Sequence, residues 1–220
     1  MVSQRTLRVK FEKTGKLKFI SHLDLMRTLH NALRRADLPV EYSEGFNPHM
    51  KISFALPLSI GTESTSEFLD IHFRTYVREN EVKDKLDHAL PDEISIKEVY
   101  EPDSKLTDIK YASYTLYVDF GNDSEKAEKV AKELFKGSVF VNKRTKSGDK
   151  DVDIMPMIKN IECRFSFGIL VIDTVLCADS ANYLNPTYII NALGEKLGKE
   201  PDNVKIMRTG AFFSDGKIFR

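Results

Sequence analysis

The order of strand-like and helix-like segments leaves few folds open to this chain of 220 residues. Apolar Leu7, Val9 and Phe11 alternate with polar neighbours, as in a half-buried strand. Apolar residues then recur at helical spacing from Leu25 to Ala36. The same two patterns predict, in turn, a strand over 52–56, a strand over 68–73, a helix over 78–90 and a strand over 94–99. The first half is therefore predicted to run strand, helix, strand, strand, helix, strand.

The second half repeats this order with one addition. The predicted elements are a strand over 114–120, a helix over 124–137, a short strand over 139–141, a charged turn over 145–151, two strands around Gly168, a helix over 186–197 and a strand from 204. The repeat predicts an α+β fold of two ferredoxin-like (βαββαβ) domains in tandem, the second with an extra strand. The polar stretch 101–110 sets the domains at 1–105 and 106–220. A single mixed sheet with helices on one face is the alternative.

Charge is balanced overall and uneven along the chain. The 33 basic and 33 acidic residues give a net charge of zero, which excludes a strongly basic protein that coats nucleic acid. The net charge is +5 over residues 1–60, −8 over 61–135 and +3 over 136–220. This distribution suits a polarised molecule, and solvated charge on amphipathic elements explains it equally well.

Several classes of protein are excluded by patterns that the sequence lacks. It has no apolar run long enough for a membrane span, and its first residues lack the apolar region of a signal peptide. With only Cys163 and Cys177, both expected in the core, a disulfide scaffold is excluded and a cytoplasmic location is expected. The histidines lack metal-binding spacing, and no phosphate loop or iron–sulfur motif occurs, so we predict no metal and no cofactor, with a composite zinc site as the alternative.

The first predicted helix begins with a recognisable capping pattern. Ser21 and Asp24 have the spacing of a capping box, in which Ser21 accepts a first-turn N–H and Asp24 reaches back. This structural role leaves His22 unexplained. Either His22 packs at the start of the helix, or it faces a site as an acid or base.

The same helix carries a polar stripe opposite its apolar side. Arg27 and Arg34 fall within about 20° of each other around the helix axis, with Asn31 one turn from each. Guanidinium groups hold phosphates through paired donors, so this stripe predicts a phosphate contact. An ordinary solvated helix face is the alternative.

The loop that follows is rich in stacking and hydrogen-bonding groups. Gly45 and Pro48 indicate an unusual backbone path, for which Gly45 supplies a positive φ. Groups of this kind favour binding of single-stranded RNA or a small ligand. We expect the loop to lie near one end of the helix and to form a cleft with it. The candidate binding residues of the loop are Tyr42, Ser43, Phe46, Asn47, His49 and Lys51.

These motifs resemble those of the radical-SAM-linked protein family. The resemblance covers residues 5–75 and is carried by Phe11-x-Lys13-x-Gly15, by Ser21-His22-Leu23-Asp24-x-x-Arg27, by Ser43-x-Gly45-Phe46-Asn47-Pro48-His49 and by Phe54-x-x-Pro57-Leu58-x-x-Gly61. Members of this family look like either free-standing proteins or C-terminal extensions of radical SAM proteins. The resemblance therefore implies a radical SAM partner and an RNA-related task. Asn31 stands where the family pattern leads us to expect an arginine, which lowers the charge of the helix.

Two hypotheses about function follow. The first is a non-catalytic accessory protein that binds RNA, a radical SAM partner, or both, in RNA or ribosome modification. The second is a metal-independent RNA-processing enzyme with His22 or His49 as acid or base, and Lys51 or Arg27 as the cation. Under the first hypothesis, Arg27→Ala and Phe46→Ala weaken binding and leave the fold intact.

Overall fold

The computed structural model describes residues 5–145, 148–179 and 182–220. The chain divides into two units, one comprising the residues up to 109 together with Arg220, the other residues 110–219. The division falls at the end of the polar stretch 101–110. Among the described residues, no helix is both long and apolar enough to cross a membrane.

Unit 1 contains an antiparallel sheet and two helices. The strands lie in the order β4-β1-β3-β2. In chain order the elements of unit 1 are β1 (Arg5–Lys13), α1 (His22–Arg35), β2 (Ile52–Phe54), β3 (Thr62–Phe73), α2 (Glu79–Ala89) and β4 (Ile94–Tyr100).

The core of unit 1 explains why the apolar spacing of α1 could be recognised in the sequence. One side of α1 carries Leu25, Leu29, Ala32 and Leu33, all buried. They belong to one apolar cluster with the alternate residues Leu7, Val9 and Phe11 of β1. Burial of one side fixes the rotation of α1, so the polar stripe of this helix faces solvent.

Unit 2 has the same order of elements around four antiparallel sheet strands of its own, with a hairpin added. The strands of the sheet lie in the order β10-β5-β9-β8, and β6 pairs only with β7 among the described residues. In chain order the elements are β5 (Tyr111–Asp119), α3 (Ser124–Leu134), β6 (Phe140–Thr145), β7 (Gly148–Asp153), β8 (Ile158–Ser166), β9 (Ile169–Cys177), α4 (Thr187–Leu197) and β10 (Asn203–Phe212). The predicted α+β class is confirmed.

The charged turn predicted over 145–151 is wrong. Strand β6 continues to Thr145 and β7 begins at Gly148, with Asn142 opposite Asp151 and Lys143 opposite Lys150. Unit 2 therefore has two added strands rather than one, while residues 146–147 lie outside the described residues. A charged hairpin of this kind lacks the alternation of apolar and polar residues by which strands are recognised.

The expectation that β1 has one solvated face is wrong at Arg8. Its side chain is 0% exposed and donates to both carboxylate oxygens of Asp70, at 2.7 and 2.9 Å. It also donates to the backbone carbonyls of Ser104, at 2.8 Å, and Arg220, at 3.3 Å. Because chain segments cover both faces of β1 at this point, alternation of apolar and polar residues does not report exposure there.

The two cysteines also differ from expectation. Cys163 and Cys177 are half-buried and unpaired rather than part of the core. Cys163 lies on β8, the last strand of the unit 2 sheet, where one side of the strand has no neighbour in that sheet. Its surroundings still raise the pKa of the Cys163 thiol to about 11, chiefly through burial.

Candidate functional site

The start of α1 is fixed by a closed set of polar contacts. The hydroxyl oxygen of Ser21 accepts the N–H of Asp24 at 3.1 Å, and the hydroxyl donates to the Asp24 carboxylate at 2.7 Å. Arg27 donates to the other carboxylate oxygen at 3.1 Å. The hydrogen bond from Ser21, followed by the charge of Arg27, lowers the pKa of Asp24. Ser21 and Asp24 therefore have the capping role that the sequence predicts.

His22 packs at the entrance of the same helix. Its ring meets the ring of Phe54 edge to face, with 5.5 Å between centroids and 82° between planes. The contact joins the first turn of α1 to the end of β2. His22 is half-buried there.

The candidate binding residues after α1 lie in a loop whose two ends are joined by backbone hydrogen bonds. The N–H of Ser43 donates to the carbonyl of His49 at 2.8 Å, and the N–H of Lys51 donates to the carbonyl of Glu41 at 2.7 Å. The Ser43 hydroxyl shares a hydrogen bond of 2.8 Å with His49 Nδ1 and accepts the N–H of His49 at 3.1 Å. Gly45 has a φ of 131°, as the sequence predicts, which strains any other residue. We call residues 42–51 the site loop.

Side chains at the tip of the site loop project into solvent. Phe46 has a relative exposure of 112%, so its ring is not part of the core. Asn47 and His49 are also exposed, whereas Tyr42 and Ser43 are half-buried. An aromatic ring held clear of the protein surface is available to stack on a planar group.

The basic side chains of α1 and the site loop differ in whether they already pair with a carboxylate. Arg27 pairs with Asp24, and Lys51 pairs with Glu41 at 2.5 Å. Arg34 and Asn31 are exposed, and neither side chain has a hydrogen-bonding partner within residues 5–145, 148–179 and 182–220. Of the two arginines in this stripe, Arg34 is therefore the one whose charge is not paired with a carboxylate in the described residues.

One residue near the site was missed by sequence analysis. His30 lies one helical turn before Arg34 and is half-buried, and its Nε2 is buried with no partner in the described part of the chain. Burial, then electrostatic repulsion from Arg34 and His49, lowers the pKa of His30, so His49 of the site loop acts electrostatically on this residue of α1. The spacing of four between His30 and Arg34 is the signal that could have indicated His30.

The two predicted acid–base histidines, His22 and His49, make no hydrogen bond or ring contact with each other in the described residues. His22 contacts Phe54, whereas His49 contacts Ser43 and lies within electrostatic reach of His30. Eight residues of helix, or about 12 Å, separate His22 from His30. In the chain as described, no three His, Cys, Asp or Glu side chains are arranged to hold a metal ion.

Exposed apolar residues near the start of α1 were also missed. Phe19, Leu23 and Ile60 are each about two-thirds exposed. The N–H of Gly61 donates to the carbonyl of Lys18 at 2.7 Å, which brings the backbone of Ile60 close to that of Phe19. Leu23 stands outside the buried stripe of α1 and Phe19 precedes that helix, and these positions are the signal for them in the sequence.

Together the fold and these contacts define an α+β protein with a polar and aromatic surface on unit 1. The chain belongs to DUF2344, a family described as an uncharacterized protein conserved in bacteria, whose model matches residues 6–186. That description names no radical SAM protein. The comparison with curated proteins found no match.

Solved structures show similarity in fold alone. One is a chain of the "Crystal Structure of a Cbf5-Nop10-Gar1 Complex", with a TM-score of 0.50 and 11% sequence identity. The match covers 93% of this chain and 48% of that one, so this chain spans about half the length of that neighbour. The comparison also gave an unknown protein from Galdieria sulphuraria, with 12% identity and coverage of 93% and 96%, at a TM-score of 0.28, which is too low to indicate a shared fold.

Proposed function

We propose that this protein binds RNA as a non-catalytic accessory protein, through the polar stripe of α1 and the site loop. The observation that carries the proposal is the exposed aromatic ring on the site loop, together with an uncompensated cation on α1. Arg34 and His49 both act electrostatically on His30, and Phe46 precedes His49 by three residues on the same loop. Phosphate contacts and base stacking are the two interactions that hold single-stranded RNA.

Each group has a chemical role in this proposal. Arg34 and Arg27 bind backbone phosphates, because guanidinium donors match phosphate oxygens. Phe46 stacks on a base, and Asn47 and His49 form hydrogen bonds to base edges or to the ribose. Lys51 and Tyr42 line the base of the loop, and His22 and Asn31 extend the surface along α1. Since the chain has no net charge, its affinity comes from these few contacts rather than from a general positive field.

The proposal includes two finer interpretations. RNA bound here is presented to a radical SAM partner, an interpretation supported by the sequence motifs of residues 5–75 alone. The two units are ferredoxin-like domains in tandem, which is supported by their strand orders. In β4-β1-β3-β2 and in β10-β5-β9-β8, the last strand of the βαββαβ order lies beside the first.

The dependence of RNA affinity on salt tests the proposal. For two or three phosphate contacts on a single strand, the dissociation constant should rise about tenfold between 50 and 200 mM salt. Arg34→Ala should weaken RNA binding and reduce the slope of affinity against salt by the equivalent of about one phosphate contact. The free energy of unfolding should change by less than about 0.5 kcal/mol. Fluorescence anisotropy of a labelled single-stranded oligoribonucleotide measures both.

The matched control is Lys126→Ala, which removes an exposed cation from α3 in unit 2. It should leave affinity and salt dependence as in the wild type. Undetectable binding, binding that does not respond to salt, or equal effects of the two variants would contradict the proposal.

A second candidate function is metal-independent RNA processing by His22 or His49. The observation in its favour is the Ser43–His49 hydrogen bond, which orients the imidazole and leaves its Nε2 for proton transfer. Labelled RNA incubated with the wild type, His22→Ala and His49→Ala tests it. Cleavage lost in one variant supports this function, whereas absent cleavage, or equal cleavage by all three proteins, rejects it.

A further inference from the structure

The strongest unexplained feature of unit 1 is the environment of His30. Its Nε2 is buried and lacks a hydrogen-bonding partner within the part of the chain that the structure describes. A buried polar group without a partner destabilises the protein unless another interaction uses it. The capping contacts and the core of α1 do not involve this atom.

The groups around His30 have one chemistry in common. Arg34 follows it by one turn on α1, and its guanidinium has no carboxylate or other partner in the described residues. His49 approaches from the site loop with its Nδ1 engaged by Ser43, so the opposite ring nitrogen, Nε2, is left for a ligand. Within the described residues, the charged groups that shift the pKa of His30 are Arg34 and His49, and neither is a carboxylate. Two basic groups therefore act on His30, one from α1 and one from the site loop.

We propose that Arg34, His49 and His30 form a binding site for a phosphate oxyanion, in which Arg34 and His49 contact the anion and His30 takes up a proton as it binds. The inference rests on the proposed function, since it names the place where a phosphate of the RNA is held. A guanidinium and an imidazole both donate charge-assisted hydrogen bonds to phosphate oxygens.

Proton uptake follows from the charges on the site. Burial and electrostatic repulsion from Arg34 and His49 keep the pKa of His30 below its ordinary value in the free protein. A bound anion offsets this repulsion and favours the protonated imidazole. By linkage, anion affinity then rises as the pH falls through the range in which His30 titrates, by at most tenfold per pH unit for each proton taken up.

Ring resonances of the histidines in the full chain provide the test. Inorganic phosphate at pH 6 should shift the signals of His30 and His49, while His88, which bonds to the Asp84 carbonyl on α2, stays unchanged. Sulfate serves for the pH series, because its charge is constant over this range. Its affinity should rise more steeply at low pH in the wild type than in His30→Gln, which has one proton fewer to take up.

Variants of exposed residues keep the test independent of folding. Arg34→Gln should weaken phosphate binding about tenfold or more. Arg78→Gln, an exposed arginine at the start of α2, should have no effect. Shifts that persist in Arg34→Gln, or a sulfate affinity that does not depend on pH, would overturn the site.

Two RNA arms separate this inference from the function on which it rests. If a 5′-phosphorylated oligoribonucleotide binds more tightly than its 5′-hydroxyl form, the ligand is a terminal phosphate. If the two forms bind equally, the ligand is a backbone phosphate. Either result supports the site when Arg34→Gln weakens the binding. RNA binding that is unchanged in both Arg34→Gln and His30→Gln overturns the site and leaves the proposed function standing. Phosphate binding without RNA binding contradicts the proposed function and supports the site.

Discussion

Replacing Arg8 by methionine should lower the free energy of unfolding by about 3–5 kcal/mol. The Arg8 guanidinium is fully buried and holds both carboxylate oxygens of Asp70. Burial lowers the pKa of Arg8, whereas its hydrogen bonds and attraction to Asp70 raise it, and the net result is a raised pKa. Methionine keeps much of the volume but leaves the largely buried Asp70 charge without this cation. Urea denaturation followed by circular dichroism measures the loss.

A neighbour on the same strand provides the control. Lys10 lies two residues away on β1 and pairs with Glu98 at 3.7 Å in a more exposed position. Lys10→Met should cost less than about 1 kcal/mol, as is usual for exposed ion pairs. The double variant Arg8→Met/Asp70→Leu should recover part of the loss. If Arg8→Met and Lys10→Met have equal effects, the buried ion pair does not stabilise unit 1 as described.

Phe46→Ala should weaken RNA binding about 5- to 150-fold, the equivalent of one lost base–aromatic stack at about 1–3 kcal/mol. Because the ring is fully exposed, the melting temperature should stay within the error of the wild-type value. Anisotropy titrations and thermal melts of the same preparations measure the two effects together.

Phe167 is the matched control for Phe46. It is 103% exposed at the turn between β8 and β9 in unit 2, and it is not one of the residues of the proposed site. Phe167→Ala should leave RNA affinity unchanged. A drop in affinity of the same size in both variants would indicate general stickiness of exposed phenylalanines. A drop in melting temperature for Phe46→Ala alone would mean that the ring supports the fold.

Elements that bury one apolar side were predictable from the sequence. The spacing of Leu25, Leu29 and Leu33 identified α1 and its buried side, because packing on the sheet requires that period. The β6–β7 hairpin was missed, since its charged strands bury little and show no such alternation. Burial of Arg8 was missed because it depends on Ser104 and Arg220, which are distant in sequence.

The candidate site was predictable in its residues and only partly in its arrangement. The composition of residues 42–51 and the position of Gly45 indicated an exposed loop with an unusual backbone path. The sequence did not indicate that His49 acts electrostatically on His30, because backbone pairing of residues 41–43 with 49–51 determines where His49 lies. Local spacing carries information about one helix or strand at a time, whereas this interaction joins a helix to a loop.

Mapping bound RNA onto the backbone amides of the full chain tests the central claim most directly. A labelled single-stranded oligoribonucleotide should shift the amide signals of Arg27, Arg34, Phe46 and His49 in two-dimensional NMR spectra, and the shifts should decline as salt is raised. Amides of α3 in unit 2 should be unaffected. Shifts confined to unit 2, or no shifts at saturating RNA, would contradict the claim that the stripe of α1 and the site loop bind RNA.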